Sequence, residues 1–85
     1  MAAIKKEYLK HLCSIVNLIR VKHEPNPWPY VVIYYKGYVN IEIKYSDTTI
    51  KVITTGTKVQ IAAFLNGMIN AYNGLKLNSD YKPDL

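Results

Sequence analysis

Few side chains in this sequence are equipped to do chemistry. Cys13 is the only cysteine, and His11 and His23 are the only histidines. A cysteine nucleophile needs an imidazole within hydrogen-bond reach to take its proton. His11 lies two residues before Cys13, roughly 200° around a helix, so the two point apart. His23 is then the sole remaining base, and the expected role of Cys13 is that of a small, half-buried helix residue. Glu7 and His11 are four apart and share a helix face, which suits a solvated surface pair. Two ligands do not make a zinc site, and a lone cysteine excludes both a disulfide framework and a CxxC-type zinc knuckle.

The six carboxylates are dispersed. Asp47 falls in a turn, where Asp is common. Glu42 is expected opposite Lys51 as a cross-strand charge pair, and Asp80 and Asp84 fall near the end of the chain. None is placed for general acid–base work. The four glycines, at 37, 56, 67 and 74, form no phosphate-cradling loop. Gly67 falls inside a helical stretch, where its expected use is close packing. The expectation is a non-enzymatic protein with no cofactor and no metal.

The elements that would position these groups are legible from periodicity. Residues 3–21 carry apolar side chains at Ile4, Tyr8, Leu12, Ile15, Val16 and Ile19, steps that make one helical stripe. His23-Glu-Pro-Asn-Pro-Trp-Pro29 ends that helix, and its alternate prolines give a stiff extended connector. Trp28 is expected to plug the gap between helix and sheet edge. Tyr30–Tyr35, Tyr38–Tyr45 and Thr49–Thr54 are rich in valine, isoleucine, threonine and tyrosine, as strands are. Lys36-Gly37 and Ser46-Asp47 read as the intervening two-residue turns. Thr57-Lys-Val-Gln60 is a capping box opening a second helix, whose stripe runs Ile61, Leu65, Met68, Tyr72 and Leu75 to a stop at Asn73-Gly74.

Two-residue loops at both turns pair Val32 with Ile41, Tyr34 with Val39, Ile41 with Val52 and Ile43 with Ile50. Paired residues share a face, so the inner face is Tyr30, Val32, Tyr34, Val39, Ile41, Ile43, Ile50 and Val52. Helices and sheet each have one apolar surface to bury. The expected fold is therefore α+β, a two-layer α-β-β-β-α sandwich: a three-stranded antiparallel meander with both helices on one face. Residues 1–75 form the single domain and 76–85 a flexible tail. At 85 residues there is room for one domain, and 49% hydrophobic against 20% charged residues excludes disorder for its body.

The opposite sheet face stays apolar at Val31, Ile33, Tyr35, Tyr38 and Ile53, which are the expected protein-interface residues, whether the partner is a second copy in a homodimer or another protein. A net charge of +5 allows a second class of partner. Lys5, Lys6, Lys10, Lys36, Lys44, Lys51 and Lys58 are the candidate nucleic-acid contacts, with Tyr35 and Tyr38 as stacking surfaces. The lysines are spread along the chain, and only Lys5, Lys6 and Lys10 cluster. No apolar run approaches the roughly 20 residues of a membrane span, and no export signal opens the chain, so a cytoplasmic setting is expected.

Over residues 3–74 the element order resembles that of the double-stranded-RNA-binding domain. That resemblance implies duplex RNA as a partner, gripped by a basic cluster opening the second helix. Here that helix opens Thr57-Lys-Val-Gln-Ile-Ala62, with one lysine, and Lys36-Gly37 stands in place of the family's Gly-Pro-x-His loop. Small phage-encoded inhibitors of host defences use a similar compact order. Ile, Lys, Tyr and Asn, all with AT-rich codons, supply 35 of the 85 residues, a bias associated with viruses and mobile elements. The expected function is a small protein-binding module, such as a viral or mobile-element inhibitor of a host protein acting in an anti-defence role. The alternative is a basic nucleic-acid-binding module.

Overall fold

The structure is a computed structural model and describes residues 4–80. The chain runs α1 (Lys6–His23), β1 (Val31–Tyr35), β2 (Tyr38–Lys44), β3 (Ile50–Gly56) and α2 (Lys58–Asp80). The strands form one antiparallel sheet in the order β1-β2-β3, and both helices lie on one face of it. This is the expected α+β sandwich.

In α1 the buried residues are Leu9, Leu12, Cys13, Val16 and Arg20. The expected stripe is thus rotated by part of a turn: Tyr8 is exposed, and Ile15 and Ile19 are half-buried. Leu9 lies at the centre of the packed face, and Cys13 is fully rather than half buried because that face turns toward the start of β1. The helix ends where Pro25 disfavours a helical residue before it, and the amide of Glu24 closes the last turn onto the Arg20 carbonyl at 2.8 Å.

Arg20 is buried yet charged, and its guanidinium ties the connector to both helices. It donates to Glu24 Oε2 at 3.0 Å and to the Trp28 carbonyl at 2.6 Å, and lies 3.9 Å from the centre of the Tyr30 ring. Tyr72 of α2 donates to the same Glu24 oxygen at 2.9 Å. These hydrogen bonds, Arg20 first, hold the Glu24 carboxyl below its ordinary range. Trp28 does not plug the gap assigned to it. Its ring is half exposed, edge-on to Tyr45, while its backbone carbonyl serves the arginine.

The first hairpin has the expected register, Val32 opposite Ile41 and Tyr34 opposite Val39. Gly37 takes φ of +91° in its turn, a region open to glycine. The second hairpin differs. Ser46 Oγ accepts the amides of Thr48 at 3.3 Å and Thr49 at 3.1 Å, and the Tyr45 amide donates to the Thr49 carbonyl at 2.9 Å. The serine hydroxyl thereby builds a wider loop than two residues. Lys44 pairs with Ile50, Ile43 with Lys51 and Glu42 with Val52, one step from expectation. A single step reverses the faces, so Ile50 and Val52, expected inside, lie outside and exposed. Glu42 faces Val52, not Lys51.

A β-bulge restores the pattern. Ile41 pairs with Thr54 and Glu42 with Val52, which leaves Ile53 as the extra residue. Ile53, expected on the outer face, packs against the core instead.

The capping box at α2 is present. Gln60 N–H donates to Thr57 Oγ1 at 3.2 Å, and Thr57 N–H to Gln60 Oε1 at 2.9 Å. A Cβ on Gly56 would lie 2.5 Å from that Gln60 oxygen, so the glycine leaves room for the reciprocal bond. The helix runs past Asn73-Gly74, the expected stop, to Asp80. Of the expected 76–85 tail, residues 81–85 lie outside the described residues. Gly67 is exposed, and among the described residues no atom beyond its own stretch of helix backbone lies within 4 Å of where a Cβ would stand, so it serves no close packing there.

The core unites Leu9, Leu12 and Val16 of α1 with Val39 and Ile41 of β2 and Ile61, Ala62 and Leu65 of α2. Ile41 is fully buried and Ile43 nearly so, as expected for the middle strand.

Candidate functional site

Strand alternation sends Val31, Ile33 and Tyr35 of β1, Tyr38, Asn40, Glu42 and Lys44 of β2, and Ile50 and Val52 of β3 to the face away from the helices. Most of these side chains remain at least partly accessible. Tyr35 and Tyr38 are 43% and 45% exposed, Ile50 47% and Val52 51%. Of the expected interface residues, Val31, Ile33, Tyr35 and Tyr38 lie on this face. Ile53 does not, and Ile50 and Val52 take its place.

At the centre of this face sit two polar side chains that are nevertheless buried. Glu42 is 2% exposed and Asn40 8%. Tyr35 Oη donates to Glu42 Oε2 at 2.9 Å, and Asn40 Nδ2 donates to the same oxygen at 2.9 Å. The bond to Glu42 raises the Tyr35 phenol above its ordinary range. Asn40 Oδ1 and Glu42 Oε1 are both buried and have no hydrogen-bond partner among the described residues. The sequence predicts a cross-strand pair of Glu42 with Lys51 and no role for Asn40. Their burial follows from a middle strand flanked by Val31 and Ile33 on one side and Val52 on the other, and Val52 reaches this face only through the register of the second hairpin.

The Tyr35 and Tyr38 rings stack with centroids 4.9 Å apart and planes 11° from parallel. They stand at the hairpin end of the sheet, beside a cavity of about 350 Å³ that Lys6, Tyr34, Thr57 and Lys58 also line. Two contacts bring the start of α1 here. Tyr34 Oη donates to the Lys6 carbonyl at 2.9 Å, and the Lys6 ammonium lies 4.9 Å from the centre of the Tyr34 ring. Partial burial, and then the negative charge of Glu7, raise the Tyr34 phenol.

The seven candidate lysines are all exposed, and the fold divides them. Lys6 and Lys58 meet at this cavity, with Lys5 next to Lys6 in sequence and Lys36 in the adjoining turn. Lys44 and Lys51 stand at the far end of the sheet. Lys10 lines a separate groove of about 260 Å³ between α1 and the β1 edge, with Cys13, Asn17 and Tyr30. Burial raises the Cys13 thiol, and its proton points to the Tyr30 carbonyl at 3.3 Å. A protonated, buried thiol is a packing group, not a nucleophile.

No family model, no curated protein sequence and no solved structure matches the chain. No described helix is long and apolar enough to cross a membrane.

Proposed function

We propose that the chain is a non-enzymatic protein-binding module whose contact surface is the outer face of the sheet. One observation carries this reading: two buried acceptors without a partner among the described residues, Asn40 Oδ1 and Glu42 Oε1, lie at the centre of a largely apolar face that neither helix covers. A buried polar atom left without a partner costs roughly 1–3 kcal/mol. A partner that brings hydrogen-bond donors to this point recovers that cost while its apolar surface covers Val31, Ile33, Tyr38, Ile50 and Val52. Such an arrangement, a donor–acceptor centre inside an aromatic and aliphatic surround, is that of a protein interface.

In this reading the chain acts in the cytoplasm as a small regulator or inhibitor of a host or cognate protein. An anti-defence role for a viral or mobile-element product fits its size and AT-rich residue usage. The occupant expected is a protein presenting a lysine or arginine within an apolar surface. A second copy of this chain is the other occupant the test distinguishes.

The experiment pairs Val52→Asp with Tyr38→Ser, since both side chains are half exposed and neither fills the core. Circular dichroism checks the fold and sedimentation equilibrium the state of association. Proteins retained from extract of the source or host cell are compared between variant and parent. Loss of a retained protein, or of a dimer, with the fold intact supports the reading. Retention and association identical to those of the parent would overturn it.

A further inference from the structure

The cavity at the hairpin end borders the sheet face, sharing Tyr35 and Tyr38 with it, and adds chemistry from both helices' first turns. Its lining brings together two lysines from elements far apart in sequence, Lys6 and Lys58, with three tyrosines and no acidic residue. The Lys6 ammonium is held in place over the Tyr34 ring. The first turn of α2, where Lys58 stands, contains no acidic residue. Two exposed lysines lining one cavity offer positive charge to an anion, and lysine binds phosphate as a point charge.

An aromatic platform adjoins the cations. Tyr35 and Tyr38 are nearly parallel at 4.9 Å, and each ring has an outward surface that the pair itself does not cover. A planar base continues such a stack, whatever its identity, because every base has a π-face. A volume of about 350 Å³ falls at the small end of ligand sites and admits a phosphate and sugar while the base lies on the exposed tyrosines.

We infer that this cavity is a nucleotide-binding site, in which Lys6 and Lys58 hold a phosphate group and the Tyr35–Tyr38 stack receives the base. The phosphate and base belong either to a free mononucleotide or to one unit of a single-stranded nucleic acid. Glu7, whose charge is felt at Tyr34, and Glu42, which accepts the Tyr35 hydroxyl, are the nearby carboxylates that work against the anion. Lys44 and Lys51, at the other end of the sheet, take no part.

The test titrates AMP, a 5′-phosphorylated hexanucleotide of thymidine and inorganic phosphate into the full chain, read by amide chemical shifts. The result expected is a set of perturbations confined to Lys6, residues 34–39 and 57–58 for both nucleotides, with inorganic phosphate at least tenfold weaker. Equal affinity per site for AMP and the hexanucleotide identifies free nucleotide as the ligand. A hexanucleotide at least tenfold tighter, with a steep salt dependence, identifies a nucleic-acid strand. The double variant Lys6→Gln with Lys58→Gln changes only exposed side chains and should weaken both ligands at least tenfold. Tyr38→Leu, with the charges intact, should weaken them while sparing inorganic phosphate. Lys44→Gln with Lys51→Gln should change nothing. Perturbations spread over all surface lysines, an unchanged affinity in the Lys6/Lys58 variant, or inorganic phosphate binding as well as AMP would overturn the assignment. The Lys6/Lys58 outcome does not depend on whether a protein docks on the sheet face, because both lysines lie off it; Tyr38 belongs to both surfaces, so Tyr38→Leu is read only as nucleotide affinity of the isolated chain.

Discussion

The side-chain amide of Asn17 grips the backbone of Tyr30 as a neighbouring strand would: Oδ1 accepts the Tyr30 N–H at 2.8 Å and Nδ2 donates to its carbonyl at 2.9 Å. Both backbone groups therefore point away from β2, and α1 stands in for a fourth strand at the start of the sheet edge. The device blunts an edge that would otherwise offer free pairing groups.

Asn17→Leu keeps the approximate volume and removes both bonds. The Tyr30 amide is then left beside an apolar side chain and its carbonyl keeps only the Cys13 thiol, at a cost of roughly 1–3 kcal/mol. The urea denaturation midpoint should fall accordingly, and the Tyr30 amide should lose its protection in hydrogen exchange. Asn17→Asp keeps only an acceptor, so it should preserve the amide bond while opposing the carbonyl. A midpoint for Asn17→Leu equal to that of the parent would show that water replaces the asparagine without loss.

Gly67 offers a prediction of the opposite sign. It lies in α2 with open space around the position of a Cβ and no positive φ. Glycine inside a helix costs about 0.5–1 kcal/mol relative to alanine, mostly through the freedom it has when unfolded. Gly67→Ala should raise stability by that amount, seen as a higher midpoint with an unchanged slope. A loss of stability would mean that another molecule approaches the helix closely here.

The two hairpins show what the sequence made legible and what it did not. Lys36-Gly37 dictates its own turn, because Gly37 adopts a backbone conformation that other residues avoid, and the register of β1 on β2 follows. Ser46-Asp47 carries no such constraint. Its geometry is set by a serine hydroxyl choosing the amides of Thr48 and Thr49, a choice that composition does not reveal. The polar centre at Asn40 and Glu42 was hidden for the same reason. Its burial depends on which face Val52 occupies, and that depends on the loop. The capping box at Thr57 and the core positions Ile41 and Ile43 rest on local spacing and on the middle strand, and these were readable directly.

The Arg20–Glu24–Tyr72 junction makes stability depend on pH in a defined direction. The Glu24 carboxyl is held below its ordinary value of about 4.5 by donors present only in the folded chain. Its contribution is therefore fully present above pH 4.5 and is lost as the pH falls through the depressed folded value. The carboxylate is partly exposed, so solvent screens the effect and the contribution is modest. Glu24→Gln should lower stability at pH 7 and flatten the acid limb of the stability curve below pH 4.5. Tyr72→Phe removes one of the two donors and should move that limb toward higher pH. An acid limb unchanged in both variants would place the pH dependence in other carboxylates.

The bulge at Ile53 makes adjacent residues respond in opposite ways. Val52 pairs with Glu42 on the outer face and is half exposed. Ile53, the next residue, packs against the core under the helices. In a regular strand with a two-residue turn at 46–47 these roles are reversed, with Val52 inside. Val52→Thr keeps the branched shape on an exposed position and should change stability by no more than about 0.5 kcal/mol. Ile53→Ala removes methyl groups from a partly buried site. It should cost about 2 kcal/mol, at the low end of the range for buried isoleucine, since the side chain is only partly enclosed. Chemical denaturation of the two variants decides between the registers. A larger loss at Val52 than at Ile53 would restore the regular turn and return Ile53 to the outer face. The predicted order, with Ile53 the costlier, fixes the bulge and with it the exposure of Val52 beside the unpartnered carboxylate oxygen of Glu42.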